Sequence, residues 1–109
     1  MDTTELKAMI DSSYSNHKDG KFICDDNYVF SDKPIKNKEI ILHFLKSFTP
    51  SWYTSARVSD TVSGESVEKC NNIYFDGVYE WTEEDIYHFE TYNLQLDETF
   101  VQYVLENKA

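Results

Sequence analysis

The segment DGVYEWTEEDIYHFETYN, residues 76–93, contains signals for a turn, a strand and a helix in direct succession. Asp76-Gly77 is typical of a tight turn because glycine tolerates a positive φ, and the short strand VYEW follows it. Thr82 is typical of a helix N-cap residue. Together with Asp85, three positions later, it approximates a capping box. The acids of the first turn are favourable at the positive end of the helix dipole. We therefore predict a turn, a strand and a capped helix with no linker between them.

The flanking sequence predicts the other elements of a single α+β domain. The predicted helices are 3–15, 35–48, the helix that begins after Thr82 and a last helix opened by Asp97. The predicted strands are 22–30, interrupted by a turn or bulge, then 52–60, 66–75 and VYEW. A length of 109 residues suits one domain. We expect about four helices that bracket a small antiparallel meander, with Trp81, Phe89, Tyr92 and Phe100 in the core.

The charge of the chain is large and unevenly distributed. The net charge is −10; residues 1–75 have 11 acids against 9 bases, whereas residues 76–109 have 9 acids against Lys108 alone. Binding to nucleic acid depends on Lys and Arg, so this polyanionic surface disfavours nucleic acid and, equally, anionic membranes. It favours a basic protein partner, because complementary potentials raise the association rate and reject wrong partners.

The residue types that carry catalysis or bind metals form no recognisable motif. None of the three histidines falls in a zinc-binding spacing, and the consecutive acids 83–85 point in different directions on a helix. The chain has no Gly-rich phosphate loop and no GxSxG elbow. Cys24 and Cys70 are better interpreted as two free buried thiols than as a disulfide or a Cys–His nucleophile. We expect no cofactor, no metal and no enzymatic activity.

The N-terminal sequence MDTTELKAMIDSSYS has acids where a signal peptide needs bases. No stretch of the chain approaches the roughly 20 apolar residues of a membrane span. We therefore expect a soluble, cytoplasmic protein.

The helix after Thr82 divides into two faces at 100° per residue. Ile86, Phe89 and Asn93 share the face expected to pack on the core. The residues expected on the opposite side and its flank are Glu83, Glu84, Tyr87, His88, Glu90 and Thr91. An exposed tyrosine among carboxylates is typical of an interface, because tyrosine buries a large area at little cost in entropy.

The order of features from Asp60 to Leu105 resembles that of a group of small bacterial immunity proteins for polymorphic toxins, including contact-dependent growth inhibition systems. The resemblance covers roughly 45 to 50 residues and includes the loop DTVSGE, the helix segment IYHFETYN and the segment LQLDETFVQYVLEN. Its markers are Gly64, Asp76-Gly77, Trp81, Tyr87, Tyr92, Leu96 and Phe100. Asp85, His88 and Asp97 depart from the group, which usually has an apolar residue, an aromatic residue and a proline at these positions.

The resemblance implies an inhibitor that binds a cognate toxin in a 1:1 complex. Many toxin domains of these systems are nucleases with basic clefts, which an acidic protein blocks with carboxylates in place of phosphates and with Tyr87 and Tyr79 as packing anchors. The predicted partner-binding residues are Asp76, Tyr79, Glu80, Glu83, Glu84, Tyr87, His88 and Glu90. Three alternatives stay open: a nucleic-acid mimic that inhibits a DNA or RNA enzyme, a non-inhibitory interaction or regulatory module, and a small catalytic domain.

Overall fold

The structure, a computed structural model, describes residues 21–25 and 27–108. The helices in this part of the chain are α1 (Lys38–Lys46), α2 (Glu83–Tyr92) and α3 (Glu98–Lys108). Its strands are β1 (Lys21–Phe22), β2 (Arg57–Ser59), β3 (Ser66–Cys70), β4 (Ile73–Phe75) and β5 (Tyr79–Thr82). The predicted helix over residues 3–15 lies outside the described residues. The described elements confirm the α+β class.

The strands form two sheets rather than the predicted meander. β5 lies at the centre of a three-stranded sheet, antiparallel to β4 and parallel to β1. β2 and β3 form a separate antiparallel hairpin, which packs against α2. The predicted strand over 22–30 contributes only the second residue of β1 and a single bridge from Phe30 to Leu94.

Two asparagines divide the predicted strand over 66–75 into β3 and β4. The side-chain oxygen of Asn71 accepts the N–H of Glu84 at 2.9 Å, and that of Asn72 accepts the N–H of Thr54 at 3.1 Å. Such bonds from short polar side chains to the backbone compete with a continuous strand ladder. The chain therefore leaves one sheet and enters the other at this point.

Helix α1 is shorter than predicted, because Asn37 has a left-handed φ of 60° directly before it. Its stripe of Ile41, Phe44 and Leu45 is buried as expected. Ile40, predicted to belong to the same stripe, is 47% exposed. A rotation of 100° per residue places it at the edge of the apolar face, so this prediction is corrected.

The core lies between the three helices and the three-stranded sheet. Trp81 is at its centre, 1% exposed, with its indole N–H donating to the carbonyl of Leu45 at 3.3 Å. The rings of Phe44, Phe48 and Phe100 surround it at centroid distances of 5.7, 5.4 and 6.3 Å. The predicted burial of Trp81, Phe89 and Phe100 is confirmed, whereas Tyr92 is half-buried.

Candidate functional site

Helix α2 and the turn before it occupy the positions that the sequence predicts. Gly77 has a φ of +108°, and the carboxylate of Asp76 accepts the N–H groups of Val78 and Tyr79 at 2.9 and 2.7 Å. At the start of α2 the Thr82 hydroxyl accepts the N–H of Asp85, while the Asp85 carboxylate accepts that of Thr82. This capping box fixes where the acidic first turn begins.

Tyrosine hydroxyls are the main partners of the carboxylates around this helix. A phenolic O–H donates a hydrogen bond without bringing a positive charge, so the bonded acid is satisfied but not neutralised. The five pairs are Tyr28–Asp85 at 2.5 Å, Tyr74–Glu83 at 2.5 Å, Tyr87–Asp60 at 2.6 Å, Tyr92–Asp60 at 2.5 Å and Tyr103–Asp76 at 2.6 Å. Each pair joins a residue of the 76–93 segment to a residue outside it.

The tyrosines show the expected electrostatic consequence, because a nearby carboxylate opposes formation of phenolate. The hydrogen bond to Asp60 raises the pKa of Tyr92 to about 12, and the hydrogen bond to Asp76 raises the pKa of Tyr103 to about 12. Burial is the main cause of the raised pKa of Tyr28 and of Tyr74, and their bonded carboxylates add to it.

Asp60, which sequence reasoning did not select, joins the β2–β3 hairpin to α2. One of its oxygens accepts the hydroxyls of Tyr87 and Tyr92, and the other accepts the N–H groups of Val62 and Ser63, both at 2.9 Å. Burial by itself raises the pKa of Asp60, which is 4% exposed, but these four hydrogen bonds outweigh it and hold the pKa well below its ordinary value. The signal in the sequence is an Asp that opens a tight Gly-containing loop.

Three of the eight predicted partner-binding residues are buried, and their prediction is corrected. Tyr79 is 3% exposed, Glu80 is 2% exposed and His88 is 0% exposed. Tyr79 packs on Phe100 and Tyr103 of α3, with ring centroids 4.9 Å apart in both pairs. Glu80 lies between Tyr79 and Trp81 in β5 and therefore points to the opposite face of the sheet, where it is buried as well.

His88 is held in one tautomer by backbone groups. Its Nδ1–H donates to the carbonyl of Glu84 at 2.8 Å, and its Nε2 accepts the N–H of Thr61 at 3.0 Å. The rings of Tyr28 and Phe30 cover it at centroid distances of 4.7 and 5.8 Å. His88 is therefore a link between α2, the hairpin loop and the 28–30 segment rather than a surface residue.

The other five predicted residues reach the surface to different degrees. Asp76, Glu83, Glu84 and Tyr87 are half-buried, and Glu90 is exposed. The Glu84 carboxylate accepts the N–H of Ser59, and burial raises the pKa of Glu84. The hairpin thus covers much of the helix face that was expected to be open. That these five residues contact a partner remains a prediction.

Two salt bridges join side chains of the described residues to each other. Lys46 pairs with Glu90 at 2.7 Å, and Lys69 pairs with Glu83 at 3.2 Å. Exposed carboxylates elsewhere in this part of the chain are Asp25, Asp32, Glu39, Glu65, Glu68, Asp97, Glu98 and Glu106. These eight carboxylates have no salt bridge to another of the described residues.

Trp52 and Tyr53, which the sequence placed in a strand, are 46% and 68% exposed. They lie on the segment between α1 and β2, where Trp52 forms a single antiparallel bridge with Ile73 of β4. Adjacent residues of a strand point to opposite faces, so a WY pair cannot bury both rings on one side of a sheet. Both side chains are therefore partly exposed to solvent.

A groove of about 570 Å³ lies where α1, α2 and α3 meet. Its apolar lining includes Ile41, Phe89 and Leu105, and its polar lining includes Lys36 and Glu98. Because one lining side chain is cationic and one is anionic, the groove favours neither sign of ligand charge.

Other candidate chemistry has little support in the part of the chain that the structure describes. No three His, Cys, Asp or Glu side chains converge there as a metal site. None of its helices has the length and apolar character needed to cross a membrane. Cys24 and Cys70 form no disulfide; Cys24 is half-buried and Cys70 exposed, so the expectation of two buried thiols is corrected.

Comparison with known proteins adds no relative. No protein-family model matches the chain, and neither the curated proteins nor the solved structures contain a match. The resemblance to immunity proteins therefore rests on the sequence features alone.

Proposed function

We propose that this chain is an immunity protein that binds a cognate basic toxin domain, a nuclease, in a 1:1 complex and covers its active-site cleft. The observation that carries the proposal is the excess of acids in the last third, 9 against one lysine, where tyrosine hydroxyls bond to the carboxylates of Asp76, Glu83 and Asp85. A neutral donor stabilises the ionised acid and leaves its field intact. Such a surface attracts a phosphate-binding cleft.

The contact surface proposed here differs from the one predicted from the sequence. Tyr79, Glu80 and His88 are excluded by burial. The half-buried Asp76, Glu83, Glu84 and Tyr87 and the exposed Glu90 are retained. The exposed acids that extend the surface are Asp97, Glu98 and Glu106. Inhibition needs no catalytic group, because the complex blocks the cleft sterically and electrostatically.

The direct test has two steps. The chain is co-purified with the protein encoded by the gene immediately upstream, and the C-terminal domain of that protein is then assayed for nuclease activity with and without the chain. We expect full inhibition at one equivalent and an association rate that falls steeply with added salt. Binding without loss of nuclease activity would support the non-inhibitory module instead. Absence of binding would remove the basis of the proposal.

A matched pair of triple variants separates local charge from total charge. The test variant reverses three exposed glutamates of the last third to lysine: Glu90, Glu98 and Glu106. The control reverses three exposed glutamates elsewhere to lysine: Glu39, Glu65 and Glu68. Both have the same net charge, and we expect only the first to slow association by about tenfold or more at low salt. Equal effects would mean that the last third is not the contact surface.

A further inference from the structure

The exposed aromatic pair Trp52–Tyr53 is held on a rigid backbone. Trp52 exchanges two backbone hydrogen bonds with Ile73, at 3.1 and 2.9 Å, and Ser51 donates a third to the same carbonyl at 2.8 Å. On the other side of the pair, the N–H and hydroxyl of Thr54 bond to Asn72 and Asn71 at 3.1 and 2.9 Å. A partner that packs on these rings would therefore pay little entropy for ordering the segment.

The aromatic pair lies beside part of the acidic surface. Asn72 connects the two: its side-chain oxygen accepts the N–H of Thr54 at 3.1 Å, and its carbonyl accepts the N–H of Glu83 at 2.9 Å. Tyr74 donates to the Glu83 carboxylate at 2.5 Å. The Glu83 side chain is 14% exposed, and Lys69, whose side chain is 50% exposed, already brings an ammonium group to it. An aromatic face next to a carboxylate suits a flat cation, which stacks on the ring and pairs with the acid.

We propose that Trp52 and Tyr53 are the packing anchor of the partner interface and receive an arginine side chain of the basic partner. The inference rests on the proposed function and specifies one contact within it. Charge complementarity selects this occupant: the molecule carries a net charge of −10, and Asn72 bonds both to Thr54, next to the pair, and to the backbone of Glu83. Trp, Tyr and Arg are the residues that most often dominate interface energies.

The two tryptophans of the chain allow the contact to be observed directly. Trp81 is 1% exposed and Trp52 is 46% exposed, so acrylamide quenching of the folded protein reports on Trp52. We expect the toxin domain to protect Trp52 from the quencher. The Trp52→Phe variant, which retains only the buried Trp81, should show no change on binding. Unchanged quenching of the wild-type protein in the complex would overturn the proposal.

Substitution of Tyr53 tests how much its ring contributes to the binding free energy of the complex. We expect Tyr53→Ala to weaken the complex by about tenfold or more, and Tyr53→Phe to retain most of the affinity. Val62→Ala removes another exposed apolar side chain, 56% exposed, and should leave binding within about twofold. Because Tyr53 is 68% exposed, its truncation should not alter the urea midpoint, which verifies folding.

The outcomes separate this inference from the proposed function. If the Glu90, Glu98 and Glu106 reversals weaken the complex while Tyr53→Ala does not, the immunity function stands and the anchor is wrong. If the toxin domain does not bind, titration with nona-arginine and nona-lysine still tests the anchor. A larger change of Trp52 fluorescence with arginine supports it, and equal changes contradict it. If raising the concentration of this protein, with no partner present, protects Trp52 from the quencher, a second copy of the chain occupies the surface and the proposed arginine contact is wrong.

Discussion

Tyr87 and Tyr92 donate their hydroxyl protons to the same oxygen of Asp60, while its other oxygen accepts two backbone N–H groups. At the scale of the residue, this carboxylate is satisfied by neutral donors and remains ionised. Tyrosine hydroxyls also bond to Asp76, Glu83 and Asp85, and Glu83 pairs with Lys69 as well. Hydrogen bonds from tyrosine hydroxyls thereby allow carboxylates of this acidic chain to be packed within the fold.

Asp60→Asn should destabilise the protein at neutral pH, because the amide loses the charge that strengthens all four hydrogen bonds. The pKa of Asp60 is lowered in the folded state, so its contribution to stability is present above the ordinary pKa of 3.8 and is lost as the pH falls toward the folded value. The difference in urea midpoint between wild type and variant should be large at about pH 7 and smaller at about pH 3. Glu65→Gln, an exposed change in the same loop, should show no difference. A pH-independent difference would contradict this account.

At the scale of the element, α2 is defined by its ends. Thr82 and Asp85 close the capping box, and Asn93 ends the helix in the left-handed conformation with a φ of 60°. Asp85 also accepts the Tyr28 hydroxyl, which attaches Tyr28 to the start of the helix. One residue thus serves both local and long-range structure.

Thr82→Ala should lower the free energy of unfolding by about 1 kcal/mol, the usual effect of losing an N-cap side chain. The loss arises because the N–H of Asp85 no longer has the Thr82 hydroxyl as its acceptor. Thr99→Ala, an exposed threonine in the first turn of α3, is the matched control and should change stability by less than about 0.5 kcal/mol. Urea unfolding measures both variants. Equal effects would show that the cap contributes nothing specific.

At the scale of the whole molecule, the β2–β3 hairpin and the three-stranded sheet are joined through α2. The Glu84 carboxylate, the His88 ring and the Tyr87 and Tyr92 hydroxyls all bond to the segment from Ser59 to Thr61. The face of α2 opposite the core is thus an internal interface. Stability and the acidic surface depend on the same contacts.

The protein should unfold steeply in alkali, because its tyrosines are linked to folding. A raised folded pKa contributes stability below the unfolded value, near 10, which is lost as the pH rises toward the folded value, about 12 for Tyr92 and Tyr103. We expect phenolate absorbance and loss of circular dichroism to rise together between these limits. The urea-unfolded chain should titrate near 10, and Tyr103→Phe should make the stability less dependent on pH. Complete tyrosine ionisation near pH 10 in a folded protein would contradict the linkage.

The sequence by itself determined the local features: the Asp76-Gly77 turn, the Thr82 cap and the buried stripe of α1. Each of these depends on residues a few positions apart, so short-range geometry decides it. The net charge is likewise a property of composition alone.

Only the tertiary structure decided which side chains remain at the surface. His88 is buried because residues far along the chain, Thr61 and Tyr28 among them, cover it. Trp52 and Tyr53 are exposed because their segment makes only one bridge to β4. Burial is set by contacts between distant segments, and the spacing of residues within one helix or strand contains no information about what packs on its other face.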